Sequence, residues 1–253
     1  MRFRHIARAT LASSLALALV ACGGGEDATA SGDEEVAEVE PIAAIPAPDG
    51  QTWAEMATET PEGGILVGNP DAPIKLVEYA SHTCSHCADF AGEAAEELRS
   101  DYISTGRVSF ELRNLIRDGL DLTIAQLVRC GEPEGVQPLA DQAWGNLNQM
   151  FETAQANGAA MEAAMQAQED VRYKQIAEAS GLYDFFAARG ISRDQAAACL
   201  SDPAKGRAIL ERSQTQANEL NIEGTPTFFL NGRNIGTHNW ASLEPLLQRA
   251  GAR

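Results

Sequence analysis

Basic residues are scarce in this chain of 253 residues. Lysine and arginine together number 19, against 36 aspartates and glutamates, so the formal net charge is -17 at pH 7. Because no basic patch could neutralise a phosphate backbone, this balance excludes nucleic acid as a partner. We interpret the charge as a solvated acidic surface and infer no basic substrate from it. The 44% hydrophobic content is enough for one good-sized core.

The N-terminal region lacks a hydrophobic run long enough to cross a bilayer. Its apolar stretch, Leu11 to Val20, is too short to span and follows three arginines, which is typical of an export signal. The stretch runs into Leu19-Val20-Ala21-Cys22, which resembles the bacterial lipobox, whose cysteine receives a diacylglycerol anchor. We therefore predict a signal peptide with a lipobox over residues 1–22 and lipidation at Cys22. An ordinary secretory signal that ends near a cysteine is the alternative.

Residues 23–52 contain little that could form a core. Three glycines begin the segment, an acidic stretch follows from Glu26 to Glu40, and Pro41, Pro46 and Pro48 stiffen the rest. Such a composition does not offset its own ordering entropy. We predict a disordered acidic tether that holds a folded domain clear of a membrane surface.

Strand patterns are nearly absent between residues 121 and 221, where alanine, glutamine, glutamate and leucine predict several successive helices. Strand-like segments flank this stretch on both sides, and a helix is predicted from Ala88 to Leu98 and another from Trp240 to Arg249. The predicted strands are 63–68, 74–80, 107–113, 227–230 and 234–236. The element order is β-β-α-β, then helices, then β-β-α, without an internal repeat.

Cysteines are few, and two of the five stand in Cys84-Ser85-His86-Cys87. This motif lies between the predicted strand 74–80 and the predicted helix 88–98. A dithiol at such a junction places its first sulfur at a helix N-terminus, where unpaired N–H groups and the helix dipole stabilise a thiolate. The spacing therefore predicts a redox site.

A second motif, Gly224-Thr225-Pro226-Thr227, precedes a late strand. With the Cys-x-x-Cys motif at the first long helix, this order resembles the DsbA-like branch of the thioredoxin superfamily. The match also includes Gly68 to Pro73 and Leu76 to Ser81, whereas Ser85 departs from the best-known pattern, which has proline there. The resemblance covers roughly residues 60–250.

The resemblance implies an α/β protein, a thioredoxin fold with an inserted all-helical domain. It places the first half of that fold, with Cys-x-x-Cys, at 53–119, the helical insert at 120–220 and the second half at 221–253. It also implies a cis peptide bond at Pro226, which sequence alone would not favour.

Cys84 is predicted to be the exposed nucleophile that forms a mixed disulfide with the substrate, and Cys87 the more buried resolving thiol. A protonated His86 imidazole between them would stabilise the Cys84 thiolate and favour the reduced form. The alternative for His86 is a solvated residue at the start of the helix.

Glu78 lies six residues before Cys84, where its carboxylate could carry the proton of the buried sulfur, as an acid does at the matching position in the family. A surface glutamate on an edge strand is the alternative. Thr225 and Pro226 face the cysteines in the fold that the resemblance implies, so that Thr225 backbone groups can pair with an extended substrate. The alternative for Pro226 is a plain turn proline.

Cys130 and Cys199 remain once Cys22 is assigned to lipid and the motif cysteines to redox chemistry, and we predict that they form a structural disulfide. Two free buried thiols are the alternative. Many relatives in the family likewise have a second cysteine pair in the helical domain.

A metal site is the remaining interpretation of this region, since His82, Cys84, His86 and Cys87 are ligand types for zinc or copper(I). Adjacent positions at a helix start rarely converge on one ion, and no second cluster completes the set. We therefore assign no metal, and no cofactor beyond the redox-active cysteine pair.

The leading functional hypothesis is an extracytoplasmic thiol:disulfide oxidoreductase that introduces disulfides into exported proteins. Expected partners are reduced or unfolded exported proteins and a membrane or soluble redox protein that resets the cysteine pair. We expect a monomer, lipid-anchored on the periplasmic side of a bacterial envelope. A reductase or isomerase on the same fold and a metal-carrying binding module are the alternatives.

Overall fold

The computed structural model describes residues 39–253, so the predicted signal peptide, Cys22 and the tether up to residue 38 lie outside the described residues. Six strands are present within the described range, one more than the sequence predicted. They are β1 (Ala57–Glu59), β2 (Ile65–Gly68), β3 (Ile74–Ala80), β4 (Val108–Asn114), β5 (Thr227–Leu230) and β6 (Arg233–Gly236).

All six strands form one mixed sheet in the order β1-β2-β4-β3-β5-β6. β3 and β4 are parallel, with Ile74 opposite Val108, and the other pairs are antiparallel. β3 therefore lies inside the sheet, between β4 and β5. Because parallel neighbours need a crossover, the chain passes through the helix after β3 before it returns as β4.

Ten α-helices accompany the sheet in the described part of the chain. Helix α1 follows β3, eight helices fill the interval between β4 and β5, and α10 follows β6. They are α1 (Ser85–Glu97), α2 (Gly119–Val128), α3 (Pro133–Gly145), α4 (Leu147–Ala156), α5 (Gly158–Gln166), α6 (Glu169–Ala179), α7 (Leu182–Ala187), α8 (Arg193–Cys199), α9 (Pro203–Glu219) and α10 (Trp240–Leu247). None of the helices described is long and apolar enough to cross a bilayer.

Two large hydrophobic cores hold the sheet and the helices together. One joins a face of the sheet to α1 and α10, and contains Leu76, Phe90, Phe228 and Leu243. The other lies mainly among the helices between β4 and β5. Because side chains alternate along a strand, Glu78 lies on the same face of β3 as Leu76 and Ala80, beneath α1.

The segment before Trp53 differs from the predicted disordered tether. The amide of Val39 donates to the carbonyl of Arg249, that of Ile42 to Gly251 and that of Ile45 to Thr105, at 2.8 to 2.9 Å. Ile42 also packs against the sheet core. Composition gave no sign of these contacts, because they pair the segment with residues distant in sequence.

Trp53 and Gly106 fix the end of that segment. The indole Nε1 of Trp53 donates to the carbonyl of Ile45 at 2.8 Å. Gly106 has a φ of +71°, and a Cβ there would lie 2.5 Å from both the Ile45 oxygen and the Trp53 indole nitrogen. Only glycine tolerates this close approach without rearrangement.

Candidate active site

Cys84 occupies the N-cap position of α1, in an extended conformation with φ -98° and ψ 121°. Its carbonyl accepts a hydrogen bond from the Ala88 amide at 3.1 Å, and its side chain makes no capping hydrogen bond. The sulfur therefore lies at the helix end that carries unpaired N–H groups and partial positive charge. This is the position that the motif spacing predicted.

The surroundings of Cys84 favour its thiolate. A hydrogen bond from Cys87 is the largest influence, and it lowers the pKa of Cys84 from its ordinary value of 9.0 to about 5 against the opposing effect of burial. The Thr225 side chain and the backbone N–H groups of Cys87 and His86 also lower the pKa of Cys84. Cys84 is therefore ionised at neutral pH.

Cys87 is held in the opposite state. Burial raises its pKa far above the ordinary value, and the hydrogen bond to Cys84 and the negative charge of Glu78 raise it further. Neither cysteine is part of a disulfide in this structure. The pair thus combines one thiolate with one thiol that keeps its proton.

The prediction that Cys84 is the exposed thiol is wrong for this structure. Cys84 is 3% exposed and Cys87 is 0% exposed. Close approach of the Pro226 loop explains the difference, because Cys84 Sγ lies 3.4 Å from the Thr225 carbonyl oxygen, to which the sulfur can donate when it is protonated. Helix position alone could not indicate a contact with a residue 141 positions away.

The loop before β5 carries the second motif. The Thr225–Pro226 peptide bond is cis, as the resemblance implied. Thr227 Oγ1 donates to the Gly224 carbonyl at 2.7 Å, and Thr237 Oγ1 donates to the Pro226 carbonyl at 2.8 Å. These bonds hold Thr225 against Cys84, where its backbone can meet an extended chain.

Glu78 is buried rather than placed on an edge strand, so that alternative is wrong. It is 1% exposed, and its register partners on β4 and β5 are Leu112 and Phe228. Its Oε1 atom has no hydrogen-bond partner among the described residues. Burial raises the pKa of Glu78 well above its ordinary value, and the charges of Asp141 and Cys84 raise it further.

His86 contributes to the site differently from the prediction. Its side chain is 78% exposed, and its Nδ1 atom lies 3.7 Å from Asp89 Oδ2, one helical turn further along. Its effect on the pKa of Cys84 comes through its backbone N–H. A contribution from the imidazole remains a prediction.

A set of contacts that the sequence did not reveal holds the loop between β3 and Cys84. Asp121, fully buried on α2, accepts hydrogen bonds from Ser81 Oγ at 2.7 Å, from the His82 amide at 2.8 Å and from the Arg117 amide at 2.9 Å. Trp144 on α3 donates from Nε1 to the Ser81 carbonyl at 3.0 Å. The helices between β4 and β5 therefore position the approach to the cysteines.

The four residues of the metal alternative do not converge. The His82 ring stacks on Trp144 with 5.2 Å between ring centroids, whereas His86 lies on the exposed side of α1. From residue 39 onward, no group of three or more His, Cys, Asp or Glu side chains is arranged to hold a metal ion.

Cys130 and Cys199 are joined by a disulfide, with 5.8 Å between their Cα atoms and 69 positions between them in sequence. The bridge links the end of α2 to the end of α8. It lies within the helical region, and Cys84 and Cys87 remain free.

Removal of this bridge should lower stability and leave exchange at Cys84 intact. We expect Cys130→Ala/Cys199→Ala to lose about 4 kcal/mol of unfolding free energy, since a closed loop of this length restricts the unfolded chain. Chemical denaturation and a dithiol exchange assay on the same preparation measure both quantities. Peptide mapping that finds both thiols free in exported protein would contradict the structural role.

Comparison with known families decides the relationship. The family model described as Thioredoxin matches residues 60–249, which is most of the chain and includes the Cys84 motif and the Pro226 loop. The chain belongs to this thioredoxin family. Its architecture is a thioredoxin fold of DsbA type, in which a helical domain interrupts the two halves of the sheet.

Solved structures share this architecture. A protein-disulfide isomerase from Novosphingobium aromaticivorans is 33% identical, with a TM-score of 0.68 over 73% of this chain and 96% of its own. Wolbachia pipientis alpha-DsbA1 is 21% identical, with a TM-score of 0.60 over 79% of this chain and 96% of its own, and shows the same fold.

A curated relative matches the same region. A Rickettsia bellii protein with the provisional name protein-disulfide oxidoreductase is 25% identical over 190 residues, which cover 75% of this chain and 65% of that protein. The chain thus spans slightly less than two thirds of this relative's length.

Proposed function

We propose that this protein is a thiol:disulfide oxidoreductase that introduces disulfides into exported proteins. The observation that carries the proposal is the opposed ionisation of Cys84 and Cys87, with a lowered pKa for Cys84 and a raised pKa for Cys87. The names of the Rickettsia bellii and Novosphingobium aromaticivorans relatives support the same chemistry.

The exchange begins from the oxidised pair. A substrate thiolate attacks Cys84 Sγ, the bond between Cys84 and Cys87 breaks, and Cys87 leaves as a thiolate that takes a proton from Glu78. A second substrate thiolate then attacks the substrate sulfur of the mixed disulfide and releases Cys84. The substrate gains a disulfide and the enzyme becomes a dithiol, with Cys84 ionised and its proton in the solvent.

The Thr225 loop positions the substrate in this scheme. Its backbone lies against Cys84, so an extended substrate segment can pair with it as an added strand. That segment would have to enter where the Thr225 carbonyl oxygen lies 3.4 Å from Cys84 Sγ.

The direction of the reaction follows from the thiolate. A thiolate that is stable at neutral pH favours the reduced enzyme, and so makes its disulfide a stronger oxidant. We expect a reduction potential tens of millivolts above that of thioredoxin, about -270 mV. Equilibration of the Cys84/Cys87 pair with glutathione buffers measures it. A potential at or below thioredoxin's value would assign the protein as a reductase.

Isomerase activity is the second candidate, because the Novosphingobium aromaticivorans protein is named as an isomerase. Refolding of a scrambled, fully oxidised substrate measures isomerase activity, and oxidation of a reduced substrate measures oxidase activity. Faster repair of the scrambled form than oxidation of the reduced form would favour the isomerase.

We further propose that the protein works outside the cytoplasm, held by a lipid on Cys22. The Leu19-Val20-Ala21-Cys22 sequence supports this placement. Mass spectrometry of protein extracted from membranes should find a diacylglycerol-modified Cys22 as the first residue, and Cys22→Ser should release the protein from the membrane fraction. An unmodified Cys22 in a form cleaved elsewhere would overturn the anchor.

A further inference from the structure

A small cavity lies beneath α1, next to the buried carboxyl of Glu78. It encloses about 30 Å³. Most of its lining is apolar, including Phe90, Phe110 and Trp144, and its polar lining residues are Glu78, Arg99, Gln137 and Asp141. A volume of this size holds one or two water molecules where polar partners are available.

The polar atoms around the cavity need such partners. Glu78 Oε1 and Gln137 Oε1 are buried and make no hydrogen bond to any described residue. Gln137 donates from Nε2 to Asp141 Oδ1 at 2.8 Å. Buried polar oxygens are normally satisfied, so two unpaired ones beside one cavity supply the polar partners that a water in it would need.

Asp141 lines this cavity and is partly exposed to solvent. Glu78 is fully enclosed, whereas Asp141 is half-buried on α3 and keeps part of its surface in water. Asp141 is also the largest charged influence on Glu78, and acts in the direction that keeps the Glu78 carboxyl protonated. Burial raises the pKa of Asp141 itself to about 6, against the opposing effects of the Gln137 hydrogen bond and the Arg99 charge.

The ionisable groups around Glu78 come from few elements. Cys84 and Cys87 adjoin it from the start of α1, Arg99 lines the cavity just after the end of α1, and Asp141 faces it from α3. Leu112 and Phe228, opposite Glu78 on the neighbouring strands, are apolar. The one carboxyl partner for Glu78 in this set is therefore Asp141.

We propose that Asp141, a residue of the helical insert, passes protons between Glu78 and solvent through this cavity during dithiol exchange. The inference rests on the proposed function. When Cys87 leaves the disulfide as a thiolate, Glu78 gives it a proton and becomes a carboxylate. Asp141 then returns a proton to Glu78 through the cavity and takes one from solvent, so the enzyme gains one proton at Cys87 overall. Resolution of a mixed disulfide by Cys87 reverses each step.

Asp141→Asn removes the titrating carboxyl and keeps its shape. We expect it to slow the single-turnover oxidation of the reduced protein by a small disulfide on the order of tenfold, part of the usual effect of an acid–base group, because Glu78 must pass its proton to Asp141 before it can take the proton of Cys87. The slowing should be greatest above the pKa of Asp141 found in the wild type, and Asp141→Glu should restore much of the rate. Glu134→Gln, an exposed change on the same helix, serves as the matched control.

A second measurement does not depend on activity. The carboxyl carbon of Glu78, observed by NMR in the oxidised protein, should titrate at a lower pH in Asp141→Asn than in the wild type or in Glu134→Gln. Wild-type rates and an unchanged Glu78 titration in Asp141→Asn would overturn the proton path, as would equal slowing by Glu134→Gln. A wild-type protein that exchanges no dithiol would refute the proposed function, and the NMR titration would still report whether the two carboxyls are coupled.

Discussion

The reduced protein should titrate one thiol, Cys84, with a midpoint near pH 5, while Cys87 keeps its proton throughout the neutral range. The Cys84 thiolate is stabilised chiefly by the hydrogen bond from Cys87, and the pKa of Cys87 is raised by burial. Thiolate absorbance near 240 nm against pH measures the transition, and Cys84→Ala should abolish it. A single transition above pH 8 would contradict this assignment.

Two further variants separate the sources of the low pKa of Cys84. Thr225→Val removes a side chain that hydrogen-bonds Cys84, and should raise the pKa of Cys84 by about one unit, which corresponds to ~1.4 kcal/mol. His86→Ala should change it less, because the imidazole faces solvent and Asp89 while the backbone N–H remains. A larger effect of His86→Ala would restore the role that the motif suggested for the imidazole.

Glu78→Gln should make the folded protein more stable at alkaline pH relative to the wild type. The pKa of Glu78 is raised in the folded state, so the wild type loses stability as pH rises from about 4.5, the ordinary value, through the folded pKa. The slope for one such group reaches about 1.4 kcal/mol per pH unit. Urea denaturation of the oxidised protein at several pH values measures it, because the redox cysteines do not titrate in that form.

The comparison for this experiment is the difference between Glu78→Gln and the wild type, and this difference includes any change that the loss of the Glu78 charge causes in the titration of Asp141. Glu96→Gln, an exposed change on α1, should leave the slope unchanged. The same Glu78→Gln variant should exchange disulfides more slowly, since Cys87 then lacks its proton donor. Parallel slopes in the variant and the wild type would show that Glu78 ionises normally.

The parts of the site that could be predicted are those that depend on residues close to one another in the sequence. Cys84 lies where a strand gives way to a helix, and that junction is readable from hydrophobic pattern and helix composition. The cis bond in the Pro226 loop could be predicted only from the resemblance to a known family, since a cis bond has no strong local sequence signal. Its contact with Cys84, and the resulting burial of the nucleophile, depend on two distant segments meeting in space.

Asp121 and Asp141 were missed for the same reason. Both lie in helices that composition identified correctly as helical, yet nothing in their spacing shows that Asp121 contacts the loop before Cys84 or that Asp141 lines the cavity beside Glu78. Asp118 and Asp121 did offer one local signal: the Asp118 side chain accepts from the Asp121 amide and caps α2. That signal predicts the start of a helix, and does not predict that Asp121 holds the loop before Cys84.

The pairing of Val39 with Arg249 has a consequence for how far the catalytic domain can travel. If Cys22 carries the lipid, the chain between the anchor and Val39 can extend at most about 60 Å, whereas a tether free as far as Trp53 could extend about 100 Å. With that anchor, every dithiol that the protein oxidises would have to come within this reach of the bilayer.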